Sequence, residues 1–420
     1  MTPSNPAIQQ SSNQTIKQSN RVFISAGEAS GDAYGAALIR QMRHLAEPSD
    51  TLQFEGVGGA RMRKEGARLY ADSSKWGAIS ITQAVRVGFR ILGKLQGVKK
   101  YLRQGPSGLF VPIDFGFANI RIARYAKKYG WKVLYFVPPG SWRRNSQGKD
   151  LPEVTDAVVT PFEWSAEILN KMGAKAYWFG HPIKQLIEEA GPLPSAERTS
   201  IAVLPGSRHH ELEMNLPLIA DAVQGKIGDW KSANVPGVSY ERLSAPEKPI
   251  PDTLEFALAP TVDLEAFKAT WHRLAPGRND VFAVNDTYGV LQRAKIGIIC
   301  SGTATLEAAI CRCPMVVVYQ ISPAMRREAK MLMNVFRQKA PKFIALPNII
   351  VDRLIVPELA KRDGVRPAEL REWLDRLLDD PEICERQQRE FEELDLLLGP
   401  SDAISKTATL AISLISAKPS

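Results

Sequence analysis

Val22-Phe23-Ile24-Ser25-Ala26-Gly27-Glu28-Ala29-Ser30-Gly31-Asp32 is an apolar run that ends in a loop of small and acidic residues. A helical pattern follows through Ala36, Leu38, Ile39 and Met42. Strand, glycine-bearing loop and helix together form the unit from which parallel sheets are wound. The unit recurs. Leu52–Gly59, Leu109–Asp114 and Val133–Val137 read as further strands, and Ala157–Val159 and Ala176–Gly180 close this half. A break near Gly191–Ser195 precedes a second start at Ile201–Arg208, continued by Leu254–Leu258, Ile296–Cys300 and Met315–Tyr319. From Pro357 onward the pattern is helical. The expected fold class is α/β: two Rossmann-like doubly wound domains facing a cleft, with C-terminal helices. Their expected limits are 21–190 and 196–380, after a disordered tail over 1–20, with a surface insertion at 225–252 and the last helices over 381–420. Ligands of such sheets bind outside the carboxyl ends of the strands.

Composition bounds the function. The 420 residues include 54 Lys and Arg against 45 Asp and Glu, a net charge of +9, while 44% are hydrophobic and 24% charged. Those fractions are ordinary for globular chains and exclude a fibrous or wholly disordered one. No uncharged apolar run approaches the ~18 residues that cross a bilayer. Met1–Asn20 is polar and has no apolar core, so it reads as a tail and not as a signal peptide. Cys300, Cys311 and Cys313 lack the paired Cys-x2-Cys spacing of a zinc site and read as core residues, as expected in the cytoplasm. The positive charge invites nucleic acid, a membrane surface or a phosphorylated substrate. No nucleic-acid module is recognisable, so nucleic acid is not an expected partner.

Four stretches carry candidate chemistry. Gly27–Asp32 departs from Gly-x-Gly-x-x-Gly, which weakens a dinucleotide reading. Glu28 and Asp32 would repel a phosphate but suit sugar hydroxyls; a plain helix cap by Ser30 or Asp32 is the alternative. Leu204-Pro205-Gly206-Ser207-Arg208 puts an arginine at a strand-to-helix turn, where guanidinium and backbone N–H groups can hold phosphate oxygens. Glu211 would orient that arginine or cap its helix. Ser301-Gly302-Thr303-Ala304-Thr305-Leu306-Glu307 offers a helix N-terminus to an anion, with Glu307 placed to accept hydrogen bonds from the vicinal hydroxyls of a ribose. A phosphate site and a ribose site in one half describe a nucleoside diphosphate. Asp114, at the carboxyl end of its strand in the other half, occupies the place of a catalytic base. The fourth stretch, Ser73–Ile113, holds seven basic residues and no acidic one. There Ile81, Val85, Phe89, Leu92 and Leu95 share one helical face, with Arg86, Arg90 and Lys94 opposite. That is the pattern of an interfacial helix on anionic lipid, or of a core-facing helix with a solvated basic face.

Taken in order, Gly27–Asp32, Gly56–Met62, Ile113-Asp114 with Asn119, Leu204–Arg208 with Glu211, Ser301–Glu307, Cys313–Val317 and Leu346-Pro347-Asn348 resemble the bacterial lipid-A-disaccharide synthase family, over roughly Arg21 to Leu359. The resemblance implies an inverting glycosyltransferase of the GT-B arrangement, with an acceptor- and membrane-facing first domain and a UDP-sugar-binding second. It would condense UDP-2,3-diacylglucosamine with 2,3-diacylglucosamine 1-phosphate to lipid A disaccharide 1-phosphate and UDP. Carried over by position, Asp114 would deprotonate the acceptor 6-hydroxyl with Glu28 of the sugar-side loop as the second catalytic residue, Ser30 and Asn119 would line the sugar side, and Arg208, Glu211, Ser301, Gly302, Thr303, Glu307 and Asn348 would surround UDP. The Ile79–Leu95 region would face the inner membrane, where the protein would be peripheral. The resemblance implies no metal, no cofactor and a homodimer, with the C-terminal helices packing back on the first domain or swapped between subunits. Two segments depart from the family. Its Asp-Ala-Pro-Asp-Phe-Asn run is here Asp114-Phe115-Gly116-Phe117-Ala118-Asn119, and its Ser-Pro-Ser-Val-Trp-Ala-Trp segment is here Pro138-Pro139-Gly140-Ser141-Trp142-Arg143. Both lie on the acceptor side. On the sequence, another GT-B enzyme using a UDP-sugar (an epimerase or lipid-linked glycosyltransferase) and a non-catalytic UDP-sugar- or lipid-binding homologue remain alternatives.

Overall fold

The computed structural model describes residues 20–47, 51–73, 96–141, 143, 148–191, 198–225, 250, 252–320, 342–361 and 364–416. The basic, amphipathic stretch through Ile81, Phe89 and Lys94 and most of the 225–252 insertion lie outside these residues, as do Trp142 and Arg144.

Two parallel sheets organise the chain. The first joins β1 (Arg21–Ala26), β2 (Gln53–Gly58), β3 (Arg68–Asp72), β4 (Leu109–Ile113), β5 (Lys132–Phe136), β6 (Ala157–Thr160) and β7 (Ala176–Trp178) in the order β3-β2-β1-β4-β5-β6-β7. The second joins β8 (Ser200–Leu204), β9 (Leu254–Leu258), β10 (Val281–Val284), β11 (Ala294–Cys300), β12 (Met315–Val318) and β13 (Glu358–Leu359) in the order β10-β9-β8-β11-β12-β13. Each order reverses direction beside its first strand, between β1 and β4 and between β8 and β11. That is the topological switch point at which doubly wound sheets bind ligands. The expected α/β class with two such sheets is therefore present.

The central strands β1, β4, β8 and β11 are almost wholly buried, because helices cover both faces of a parallel sheet. Their continuous apolar runs follow from that. The strands absent from the sequence reading are β3, β10 and β13, all at sheet edges. Arg68-Leu69-Tyr70-Ala71-Asp72 is largely solvent-facing, β10 leaves Val281 and Val284 exposed, and β13 is two residues long. Half-exposed edges need no apolar run, so their sequences carry little strand signal.

One hydrophobic core runs beneath both sheets. It collects Ile24, Leu38, Val111 and Phe136 from the first half, Leu204, Ile299, Leu306 and Val317 from the second, and Phe391, Leu398, Ile404 and Ala408 from the last helices. The Ala403–Ser416 helix returns to pack along the Ala29–Leu45 helix. The crossing is fastened by polar groups: His181 N–H donates to the Leu398 carbonyl at 2.8 Å, Lys184 Nζ to that of Gly399 at 2.6 Å, and Gln185 Oε1 accepts from the Ile404 and Ser405 N–H groups. Among the described residues no helix is long and apolar enough to cross a membrane.

At the crossing, Gly180 has φ 98°, and a Cβ there would lie 1.9 Å from the Pro400 carbonyl oxygen. Gly180→Ala meets both left-handed strain and a backbone clash, so we expect it to cost about 2 kcal/mol or more. That should lower the apparent melting temperature by roughly 2 °C or more. An unchanged melting curve would contradict this account of the crossing.

Candidate functional site

At the carboxyl edge of the first sheet, the strand ends are tied by one buried amide. Asn119 Nδ2 donates to the carbonyls of Ser25 (3.0 Å), Ile113 (3.2 Å) and Asp114 (3.0 Å), and its Oδ1 accepts from the Ser25 hydroxyl at 2.6 Å. Asn119 is fully buried, so it ties these strand ends from within and does not line the cleft surface, contrary to what the family resemblance implied. The same edge needs an abrupt turn. Asp114 and Phe115 both adopt left-handed backbone, φ 45° and 53°, before the Gly116–Lys128 helix. Burial pushes the Asp114 carboxyl up to about 6, the nearby charge of Glu28 adds to the rise, and the Phe115 N–H opposes it.

The Gly27–Asp32 loop divides its acids between two tasks. Glu28 stands exposed before the Ala29–Leu45 helix and makes no capping bond. Asp32 turns away from any sugar: its carboxylate accepts from the N–H groups of Gly59 (2.6 Å), Arg61 (3.0 Å) and Met62 (3.1 Å), which caps the neighbouring short helix Ala60–Lys64. The acid expected among sugar hydroxyls is thus a structural cap, though of another helix than its own. Ser30 lies half-buried beside Glu28.

Across the cleft, Arg208 precedes the His209–Val223 helix and comes within 4.0 Å of Glu28, Nη2 to Oε1. This approach brings the carboxyl ends of the two sheets together. The buried Glu211 holds the arginine, accepting from Arg208 Nη1 at 3.0 Å and from the N–H groups of Ser207 (2.9 Å) and Arg208 (3.2 Å). The sequence reading left those backbone N–H groups to a phosphate. Glu211 occupies them, while the guanidinium reaches out of the turn towards Glu28. Gly206 has φ 122°, and a Cβ there would meet Glu211 Cβ at 2.5 Å, so the close packing of loop on carboxylate requires glycine.

In the next loop, Gly302 (φ 135°) precedes the Thr303–Ile310 helix with no side-chain cap. Thr303 is half-buried at its start, while the Ser301 hydroxyl donates to the Ile344 carbonyl at 2.8 Å and is spent on the loop itself. Glu307 accepts from the Tyr288 hydroxyl at 3.4 Å. Burial pushes its carboxyl up to about 7, against the opposing pull of the Arg61 charge from the first half and of the Tyr288 hydroxyl. Tyr34 of the first half also feels the Glu307 charge. Tyr34, Arg61 and Tyr288 were not singled out in the sequence. They come from three separate helices, and no spacing links them. Asn348 proves wholly internal. Its amide donates to the Val356 carbonyl and Glu358 and accepts from the Ile355 and Val356 N–H groups, all within 3.0 Å, and it is fully buried. It shapes a turn and reaches no ligand surface. Burial pushes the Cys300 thiol up to about 12, which leaves it a core group.

These positions join comparisons that cover most of the chain. A family model described as lipid-A-disaccharide synthetase matches residues 22–233 and 262–409. The lipid-A-disaccharide synthase of a Synechocystis species is 30% identical over 404 residues, covering 92% of this chain and 96% of its own. That of Nitrosococcus oceani is 30% identical over 392 residues, 90% and 92% of the two chains. Among solved structures, a UDP-glucosyltransferase from Polygonum tinctorium has a TM-score of 0.52 at 11% identity and covers 95% of this chain and 99% of its own. A UDP-N-acetylglucosamine 2-epimerase has a TM-score of 0.52 at 9% identity, with 95% and 98% covered. The epimerase shares the fold alone, whereas the synthases share sequence throughout, and this separates the synthase reading from the epimerase one.

The Glu28 charge has a measurable effect on Asp114. Removing it in Glu28→Gln takes away one cause of the raised pKa, so the Asp114 carboxyl should titrate lower than the wild-type midpoint of about 6. Carbon-detected NMR of labelled aspartate would read the shift. An unmoved or raised midpoint would show that the two carboxylates are not neighbours in solution.

Proposed function

The chain belongs to the lipid-A-disaccharide synthase family and is a GT-B glycosyltransferase of lipid A biosynthesis, and we propose that its cleft performs the transfer between Asp114 and Arg208. The donor is UDP-2,3-diacylglucosamine and the acceptor 2,3-diacylglucosamine 1-phosphate. Asp114 takes the proton of the acceptor 6-hydroxyl as its oxygen attacks the anomeric carbon. The bond to the diphosphate breaks on the opposite side, its electron pair leaves with UDP, and the configuration inverts. Arg208 exchanges Glu28 for the diphosphate and neutralises the departing charge. Gly302 and Thr303 present the start of their helix to the same anion. Glu307 accepts from the ribose hydroxyls, and Glu28 and Ser30 hold the sugar side.

The observation that carries this reading is the 4.0 Å approach of Arg208 to Glu28, beside an Asp114 whose carboxyl is held up near 6. A base works best when its pKa lies near the operating pH. Since Asp114 acts ionised, kcat/KM rises with pH through about 6 and flattens above it. We assign Asn119, Glu211, Ser301 and Asn348 to supporting the loops and not to touching substrate.

UDP release is measured with and without the monosaccharide acceptor. Asp114→Asn should lower the acceptor-dependent rate about 100-fold or more. Arg208→Ala should lower kcat/KM for the donor by roughly 100-fold or more. Acceptor-dependent rates equal to wild type in Asp114→Asn would overturn the mechanism.

We further propose that the protein works at the cytoplasmic face of the inner membrane as a peripheral protein, and as a homodimer. The apolar stripe Ile81, Val85, Phe89 and Leu92, backed by Arg86, Arg90 and Lys94, supports the membrane reading through its sequence pattern. Phe89→Glu should move protein from anionic vesicles to the supernatant on sedimentation. Unchanged co-sedimentation would sink the membrane assignment.

A further inference from the structure

The left-handed pair Asp114-Phe115 is unusual in bearing two full side chains, since such backbone costs a non-glycine residue on the order of 1 kcal/mol or more. The surroundings impose it. Tyr135 Oη and Asn119 Nδ2 both donate to the Asp114 carbonyl, at 2.9 and 3.0 Å, and Asp114 N–H donates to the Val137 carbonyl at 3.1 Å. The turn does two things at once. It aims the Asp114 carboxylate, and it lays the Phe115 ring on the end of β1. A Cβ on Gly27 would lie 2.1 Å from Phe115 Cδ2 and 2.2 Å from Cγ, so the ring fills the space that a side chain at 27 would take. Gly27 is buried beneath it, Glu28 next along is exposed, and Phe115 itself is half-buried. Part of Phe115 therefore remains accessible, one residue along from Asp114.

We propose that Phe115 is a specificity-determining residue of the acceptor site, its ring packing on the apolar C–H face of the sugar whose hydroxyl Asp114 deprotonates. The proposal rests on the assignment of Asp114 as base. A hydroxyl within about 3 Å of that carboxylate brings the adjoining sugar carbons towards a ring borne by the next residue, within reach of apolar contact at about 4 Å. Hydrogen bonds to a carboxylate fix one atom of the sugar. An aromatic face beside it fixes the plane of the ring, at a rigid place in the backbone. The diphosphate and ribose of the donor are assigned above to Arg208 and Glu307 of the other sheet, so donor affinity rests chiefly on groups other than this ring.

The test is steady-state kinetics with 2,3-diacylglucosamine 1-phosphate and its UDP-linked counterpart varied separately. Phe115→Ala should raise the acceptor KM about tenfold and leave the donor KM within about twofold, as expected for loss of one aromatic contact. Phe115→Tyr, which keeps the ring, should hold the wild-type acceptor KM. Phe115→Leu, apolar but without a flat face, should share the acceptor defect and stands in should alanine unfold the turn. Gly27→Ala, which displaces the ring without deleting it, should reproduce the rise. An unchanged acceptor KM in both Ala and Leu variants, an equal rise in donor KM, or a tyrosine variant as impaired as alanine would overturn the proposal. A wild-type protein without acceptor-dependent UDP release, or an Asp114→Asn variant as fast as wild type, would remove the assignment on which it rests, so the two failures read out separately.

Discussion

The carboxyl edge of the first sheet hangs on the buried amide of Asn119. Two N–H bonds shared among three carbonyls, and one oxygen accepting from Ser25, fix where β1 and β4 stop relative to each other. Both the Glu28 loop and the Asp114 turn start from those strand ends. Removing the amide would take one partner from each of these carbonyls, although that of Asp114 keeps the Tyr135 hydroxyl, and any buried group left unpaired costs about 1–3 kcal/mol. It would also free the turn that keeps Asp114 in a conformation it would not otherwise hold.

The second sheet uses a buried carboxylate for the same end. Glu211 accepts from two backbone N–H groups and one guanidinium nitrogen, so the Arg208 loop is held while Nη2 reaches towards Glu28. Both Arg208 and Glu28 are substantially exposed, and such a pair contributes little to stability. Its value is geometric. It holds the Glu28 charge between the Arg208 guanidinium and Asp114, close enough to raise the Asp114 pKa.

Much of this was legible in the sequence, for reasons that particular residues make plain. Val22–Ala26 and Ile296–Cys300 are buried on both faces, so their apolar runs announce central strands. Arg68–Asp72 and Glu358-Leu359 lie at edges and announce nothing. Asp114 and Arg208 could be placed because a strand end fixes position along the sheet axis. The direction of an amide is another matter. Asn119 and Asn348 follow motifs that read as ligand loops, yet both turn inward to satisfy carbonyls that only the folded turns create. Asp32 was legible as a helix cap, but the helix it caps comes from a loop 27 residues away. Tyr34, Arg61 and Tyr288 gather around Glu307 through packing of the two halves, which leaves no local trace.

The central claim is that a base on one sheet and a cation on the other drive a single displacement. One displacement has one stereochemical result. Proton NMR of the disaccharide formed from UDP-2,3-diacylglucosamine and 2,3-diacylglucosamine 1-phosphate measures it directly, through the anomeric coupling of the new bond. The account predicts a configuration opposite to that of the UDP linkage. A product that retains the donor configuration would contradict it.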